Sequence, residues 1–269
     1  MAVLTSKPAA KISIRDLRKS FGPKVVLDGM SLDIAAGESM VVIGGSGTGK
    51  SVLLKHIIGL LRPESGTVEV DGVAVEKLGN REITDFRRKF GMSFQEGALF
   101  DSMTIWQNVA FPLQRLTKMS RGEIDERVKE CLDLVRLEGV EEKLPSQLSG
   151  GMRRRVGFAR AISHRPEILL FDEPTTGLDP VTTALIDEVI VDLNDRLKTT
   201  TVTITHDMES AFRIGDRIAM IHKGKIVASA PPAEFRHLED PRVQQFIHGR
   251  AEGPLSDEPA PGQPKTPDR

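Results

Sequence analysis

Residues 44–51 read GGSGTGKS, and an apolar stretch of strand character, Met40 to Ile43, leads into them. The run fits the pattern G-x-x-x-x-G-K-[ST], whose parts are mechanical. Glycines let backbone N–H groups close around phosphate oxygens, and the helix that follows aims its positive end at the same charge. Lys50 is spaced to reach β- and γ-phosphates, and the Ser51 hydroxyl to ligate Mg²⁺. Gly44, Gly45, Ser46, Gly47, Thr48, Gly49, Lys50, Ser51 and Val52 are therefore the candidate phosphate-binding residues. A strand, a glycine-rich loop and a helix in this order predict a nucleotide triphosphatase.

The bulk composition narrows the setting. With 269 residues, 39% hydrophobic and 28% charged, the chain is large enough for one domain plus a lobe. A net charge of −1 argues against wholesale binding to nucleic acid or anionic lipid. The single cysteine, Cys131, excludes an internal disulfide framework and suits a reducing compartment. The start, MAVLTSKPAAK, lacks the apolar stretch of a signal peptide. No run approaches the ~18 apolar residues that span a bilayer, so any membrane-spanning part is expected on another polypeptide.

Around the loop, periodicity sorts the chain. Ile12, Ile14 and Leu17, then Leu27, Met30, Leu32 and Ile34, alternate with polar residues and predict antiparallel strands turning at Gly22-Pro23. A helix is expected from Lys50 to Leu60, and a strand from Thr67 to Val70 before the turn Asp71-Gly72. Residues 96–160 are read as mainly helical, a lobe inserted into an α/β core. Within it Ser120 and Glu123 make a capping box, with Ile124, Val128, Cys131, Leu132 and Val135 at helical spacing. Ile168 to Phe171 reads as a buried strand, Asp179-Pro180 as a helix start, Thr200 to Thr205 as the next strand, and Lys223-Gly224 as a hairpin turn. From 251 to 269, AEGPLSDEPAPGQPKTPDR carries five of the sixteen prolines and is expected to be a disordered tail. The ordered domain is placed at 1–250, with 240–250 as a C-terminal extension.

The run ILLFDE, Ile168 to Glu173, puts two carboxylates at the end of a buried strand, where doubly wound sheets bind ligands. Asp172 suits Mg²⁺, and Glu173 suits polarisation of an attacking water. Further motifs follow the same order: LSGGM at Leu148 to Met152, TTGLDP at Thr175 to Pro180, His206 after the strand Thr200 to Thr205, and Gln95 closing FGMSF. In this combination the sequence, over roughly 12–225, resembles the ATP-binding subunits of ABC transporters.

The resemblance implies a fold: a P-loop NTPase (RecA-like) α/β core with an antiparallel β subdomain and an inserted α-helical lobe. It also implies roles. Gly44 to Ser51 would hold ATP and Mg²⁺, Asp172 and Gln95 would assist the metal, Glu173 would act as base, and His206 would contact the γ-phosphate. Ser149, Gly150 and Gly151 would bind the γ-phosphate held by a second copy of the chain, with Asp179 at the seam. The family usually stacks a tyrosine on adenine, and this chain has none; Phe21 is the candidate, with a core-strand residue as the alternative. Met152 stands where the family most often has glutamine. Arg153, Arg154 and Arg155 are read as a solvated face or interface rather than a nucleic-acid site, and Arg87-Arg88-Lys89 likewise. His56, His164, His222, His237 and His248 lack ligand-like spacing, so no zinc site is expected.

Phe94 to Leu113, FQEGALFDSMTIWQNVAFPL, lies where these ATPases grip the permease. Its EGALFDSMT wording, SGGMRRRVGFARAI from Ser149 and DPRVQQFIHGRAEGP from Asp240 resemble ATPases of the Mla (MCE-associated) phospholipid and hydrophobic-compound transport systems. That resemblance implies a peripheral protein on the cytoplasmic face of the inner membrane, joined to a permease and through it to an MCE-domain protein. The competing readings are an ATPase of a polar-solute importer, such as one for an amino acid, and a soluble ABC ATPase acting in translation or on DNA ends.

Overall fold

The computed structural model describes residues 10–95 and 97–256. Two long antiparallel strands, β1 (Ala10–Phe21) and β2 (Lys24–Ala35), open the chain, and β3 (Ser39–Ile43) runs through the glycine-rich loop into α1 (Lys50–Ile57). β4 (Ser65–Val70) and β5 (Val73–Ala74) return to the first sheet, whose order is β2-β1-β4-β5. Then come α2 (Asn80–Arg87), β6 (Phe90–Ser93), α3 (Ile105–Leu116), α4 (Arg121–Leu134), α5 (Gly150–Ile162) and β7 (Ile168–Asp172). The chain continues with α6 (Pro180–Leu197), β8 (Thr200–Thr205), α7 (Met208–Ile214), β9 (Arg217–His222), β10 (Lys225–Ala230), α8 (Pro232–Phe235) and α9 (Pro241–His248). The second sheet runs β10-β9-β3-β8-β7-β6 and is parallel except for the β9–β10 hairpin.

Strand alternation builds two cores from one sheet, because successive side chains point to opposite faces. Met40 and Val42 of β3, Ile168 and Leu170 of β7, and Val202 and Ile204 of β8 pack toward the antiparallel sheet and α1. Val41 and Ile43, then Leu169 and Phe171, pack on the other face with the inward sides of α3, α4, α5 and α6. Phe158 of α5 meets Phe171 edge to face at 4.9 Å. The stretch 97–160, expected to be mainly helical, holds α3, α4 and most of α5, with connecting chain at 97–104 and 135–149. Thr104 with Gln107, and Ser120 with Glu123, close capping boxes at the starts of α3 and α4.

Gly91 shows how tightly α5 lies on the sheet. A Cβ there would stand 2.2 Å from the Ala161 carbonyl oxygen and 2.8 Å from Leu169 Cδ2. Both neighbours belong to regular elements, so Gly91→Ala is expected to reduce unfolding stability by about 3 kcal/mol, the scale of core overpacking. Urea midpoints at equal m-value measure it.

One expectation needs correction. The helix after the loop stops at Ile57 rather than Leu60. Gly59 adopts φ 70° and the Leu60 and Leu61 amides both donate to the Lys55 carbonyl, which tightens the end into a turn. The first residues of the expected tail, 251–256, lie against α9. Gln245, nearly buried on α9, donates through Nε2 to the Arg250 carbonyl (3.1 Å) and Ser256 Oγ (2.6 Å), and its Oε1 accepts from the Leu255 amide at 2.7 Å. A polar side chain that satisfies three partners folds 251–256 back over its own helix. The rest of the expected tail, 257–269, lies outside the described residues, as do residues 1–9. Among the described residues no helix is long and apolar enough to cross a membrane.

Candidate active site

β3, β7 and β8 end side by side, and their carboxyl ends deliver Gly44, Asp172 and His206 to one region, as a parallel sheet dictates. Between them opens a cleft of about 520 Å³ lined by Lys24, Val26, Ser46, Gly47, Gly49, Lys50, Ser51, Val52, Gln95, Asp172, Glu173, Thr176 and His206. The loop that forms its floor is fixed from outside. Gly49 takes φ 103°, and a Cβ on it would stand 2.7 Å from Leu27 Cδ2 and 3.0 Å from the Val26 carbonyl oxygen. Only glycine satisfies both the left-handed backbone and the approach of β2. Lys50, buried at the first turn of α1, donates from Nζ to the carbonyl oxygens of Gly44 (2.8 Å) and Gly45 (3.2 Å). Its cation thus stands inside the ring of backbone that faces the cleft.

The two carboxylates have different surroundings. Asp172 Oδ1 accepts from Ser51 Oγ at 3.3 Å. Burial pushes its carboxyl up, the Ser51 hydroxyl opposes that, and the neighbouring Glu173 charge adds to it. Glu173 follows at φ 49°, an uncommon left-handed value for a side-chain-bearing residue. That turn swings its carboxylate into a set of donors: His206 Nδ1 at 2.7 Å and Thr176 Oγ1 at 3.1 Å on Oε2, and Lys50 Nζ at 3.5 Å from Oε1. A carboxylate oxygen accepts, so the hydrogen of this contact sits on His206 Nδ1.

The residues present fit Mg²⁺. The Ser51 hydroxyl and the half-buried Asp172 carboxylate are adjacent hard oxygen donors on the cleft wall. Mg²⁺ uses one or two such groups and completes its shell with water and substrate phosphates. Consistent with so sparse a site, no cluster of three or more histidine, cysteine or acidic residues able to hold a metal occurs among the described residues.

Other sequence-derived candidates lie apart from the cleft. Ser149 caps α5, its Oγ accepting from the Met152 amide at 3.3 Å. Gly150 and Gly151 open that helix against the start of α6, where a Cβ on Gly151 would meet Thr182 Cγ2 at 2.4 Å. Asp179 caps α6 through Val181 and Thr182, and the Thr182 hydroxyl holds its carboxyl below the usual range. Ser149, Gly150, Gly151 and Asp179 therefore form a second patch, not part of the cleft lining. Phe21 is exposed (48%) at the end of β1, not a core residue, and pairs in register with Lys24 at the cleft. Gly44, Gly45 and Thr48 belong to the same loop outside the cleft lining, and Thr48 Oγ1 donates to the Gly45 carbonyl.

Lys24, Val26 and Thr176 line the cleft but carried no signal as single residues, except that Thr176 sits in the TTGLDP run. The arginine triplet, expected on a solvated face or interface, turns its guanidinium groups to backbone carbonyls. Arg153 donates to the Leu148 carbonyl, Arg155 to those of Val135 and Arg136, and buried Arg154 to Pro174 and Thr176. Each guanidinium supplies donors to carbonyls in irregular chain that has few other partners. Arg87 does the same for Ile58 and Gly59.

Behind the site, Asp187 joins α6 to α7. It is fully buried, and its Oδ2 accepts from Ser210 Oγ (3.0 Å) and Arg213 Nη1 (2.6 Å). Burial pushes its carboxyl from 3.8 up to about 6, against the two hydrogen bonds and the Arg213 charge. A carboxyl with a raised folded pKa prefers its proton in the folded state. Its contribution is most favourable below about 4 and is lost as pH rises through about 6. Asparagine does not titrate, so the melting temperature of Asp187→Asn relative to the parent should rise between about pH 4.5 and pH 7.5. A difference independent of pH would contradict the burial argument.

Comparison with known proteins adds a lineage to this geometry. A family model described as ABC transporter matches residues 27–176, a span that includes the phosphate loop, Ser149 to Gly151 and both carboxylates. The probable ribonucleotide transport ATP-binding protein mkl of Mycobacterium leprae is 43% identical over 244 residues, covering 91% of this chain and 70% of that protein. The intermembrane phospholipid transport system ATP-binding protein MlaF of Haemophilus influenzae is 38% identical over 244 residues, 91% of this chain and 92% of its own length. The methionine import ATP-binding protein MetN of Carboxydothermus hydrogenoformans is 44% identical over 223 residues, 82% of this chain and 66% of its length. Among solved structures, that of a dimeric bacterial ABC transporter cassette superposes with a TM-score of 0.76 at 34% identity, over 82% of this chain and 98% of that one.

Proposed function

This chain belongs to the ABC transporter family and is an ATPase, and we propose that it powers movement of phospholipid or a related hydrophobic compound through a membrane permease of the Mla type. The support for the lipid reading is the end-to-end likeness to a phospholipid-transport ATPase, 92% of whose length is matched. The wording of Phe94 to Leu113 and of the stretch from Asp240 points the same way. Percentage identity alone does not choose the cargo, since the methionine-import relative is 44% identical over a shorter span. That relative supports the second reading, an importer ATPase for a polar solute.

In the proposed cycle, ATP enters the cleft with its phosphates against the 44–51 loop and its adenine on the Phe21 ring. Lys50 and His206, which hold Glu173 in the free chain, turn to phosphate oxygens. Glu173 is thereby released to accept a proton from water. The water oxygen attacks the γ-phosphorus, the bond to the β–γ bridging oxygen breaks, and ADP and phosphate leave. Ser51 and Asp172, with Gln95 nearby, would hold Mg²⁺, which would supply neutralisation of phosphate charge. Ser149, Gly150, Gly151 and Asp179 lie on a patch separate from the cleft lining, so they serve the cleft of a second copy, and two chains enclose two ATP head to tail. Gln95, at the cleft and at the end of β6, passes closure to the permease on the cytoplasmic face of the inner membrane, and an MCE-domain protein joins through that permease.

A detergent pull-down of tagged protein from its own membranes tests the cargo. A multi-spanning permease arriving with an MCE-domain protein and phospholipid is the expected result. A permease arriving with a solute-binding protein, without lipid, would sink the lipid reading and leave the ATPase intact.

A further inference from the structure

We propose that Arg154 is a positioning residue for hydrolysis. Its guanidinium, carried on α5, fixes the turn from Glu173 to Thr176 and ties the Ser149 to Gly151 segment to the carboxylate that activates water. The proposal rests on Glu173 being the general base.

The turn does not hold itself. Glu173 sits at φ 49°, and the Thr176 amide reaches the Glu173 carbonyl only at 3.4 Å, a long and weak bond. Arg154 supplies what is missing. It is 8% exposed, Nη1 donates to the Pro174 carbonyl at 2.6 Å, and Nη2 donates to the Thr176 carbonyl. One rigid fork thus grips the backbone on both sides of buried Thr175, a geometry that a lysine ammonium does not reproduce. The side chain of Thr176 is then placed to donate to Glu173 Oε2, the same oxygen that faces His206. Shifting the Thr176 backbone would shift a hydrogen bond on the catalytic carboxylate itself.

The other end of the connection lies at the start of α5. Arg154 follows Ser149 by little more than one helical turn, and α5 touches the start of α6 at Gly151 and Thr182. Arg153 and Arg155 bond Leu148 and residues 135–136, within the lobe. Arg154 reaches instead from the lobe to the exit of β7. In the proposed dimer, a displacement of the Ser149 end by the nucleotide of the second copy would reach Glu173 through this guanidinium.

The test is a double-mutant cycle on the full-length chain, read by single-turnover ATP hydrolysis, nucleotide affinity and thermal melting. Arg154→Met and Arg154→Lys are expected to slow hydrolysis about tenfold or more, as small misplacements of catalytic groups do, with the ATP dissociation constant unchanged. In a Glu173→Gln background the same substitutions should cause no further loss, because Arg154 acts through that carboxylate. Arg154→Lys keeps the charge and serves if the methionine variant does not fold. A wild-type hydrolysis rate in a folded Arg154 variant would overturn the proposal, whatever its melting temperature. So would an equal fractional loss in both backgrounds. Wild-type turnover by Glu173→Gln alone would instead remove the general-base reading beneath it, and that result is distinct from the other two.

Discussion

Glu173→Gln is expected to bind ATP with near-parental affinity and to lose hydrolysis by a factor on the order of 10²–10⁴, the usual contribution of a positioned general base. Glutamine keeps the shape of the side chain and an oxygen for His206 Nδ1 and Thr176 Oγ1, which now stand at 2.7 and 3.1 Å. What it loses is the capacity to take a proton from water and the ionic attraction to Lys50 at 3.5 Å. Because Glu173 sits on the cleft wall rather than in the phosphate loop, the loss should fall on kcat and not on affinity. Steady-state turnover beside equilibrium nucleotide binding separates the two. Undiminished hydrolysis would mean that another group activates the water.

Lys50→Ala should fail one step earlier. The ammonium is the cation inside the loop, bonded to the Gly44 and Gly45 carbonyls. Removing it deletes a charge-assisted contact to phosphate and, in the free chain, takes a donor from the Gly44 and Gly45 carbonyls. The phosphate contact is worth about 1.5–3 kcal/mol, a loss of affinity on the order of 10–10². The melting temperature should fall modestly in the absence of nucleotide, and the upward shift that ATP confers on the parent should largely vanish. Wild-type affinity in this variant would remove the 44–51 loop from the binding site.

The parts of the molecule that could be read from residues alone are those in which local sequence and tertiary demand agree. The loop glycines, the alternation of β1 and β2, and the capping pair Ser120 and Glu123 each satisfy a short-range requirement that is visible in the chain. Asp172 and Glu173 were legible only in company with the phosphate loop, since two acids closing a buried strand read by themselves as a polar turn. The arginine triplet was not. Its three side chains serve carbonyls at Leu148, at 135–136 and at 174–176, and nothing in the sequence of an irregular segment announces that its backbone lacks donors. The contact of 251–256 with α9 was hidden for the same reason, since it is made by the single side chain of Gln245. The separation of Ser149 and Asp179 from the cleft follows from how α5 and α6 pack, a three-dimensional fact that spacing does not encode.

The position of β3 in its sheet has a consequence for biosynthesis. Its partners are β8 and β9, and the Ser39–Thr201 contact closes 162 residues of chain. The strand that carries the phosphate loop thus emerges early from a ribosome and waits for most of the polypeptide before either neighbour exists. Such long closures are slow, and an apolar strand left without its neighbours is prone to aggregate. Truncated or stalled products ending before residue 200 would contain the entire GGSGTGKS run yet lack the sheet that shapes it. They should show no nucleotide retention and should depend on chaperones, so that competence for ATP appears only once β8 and β9 have been made.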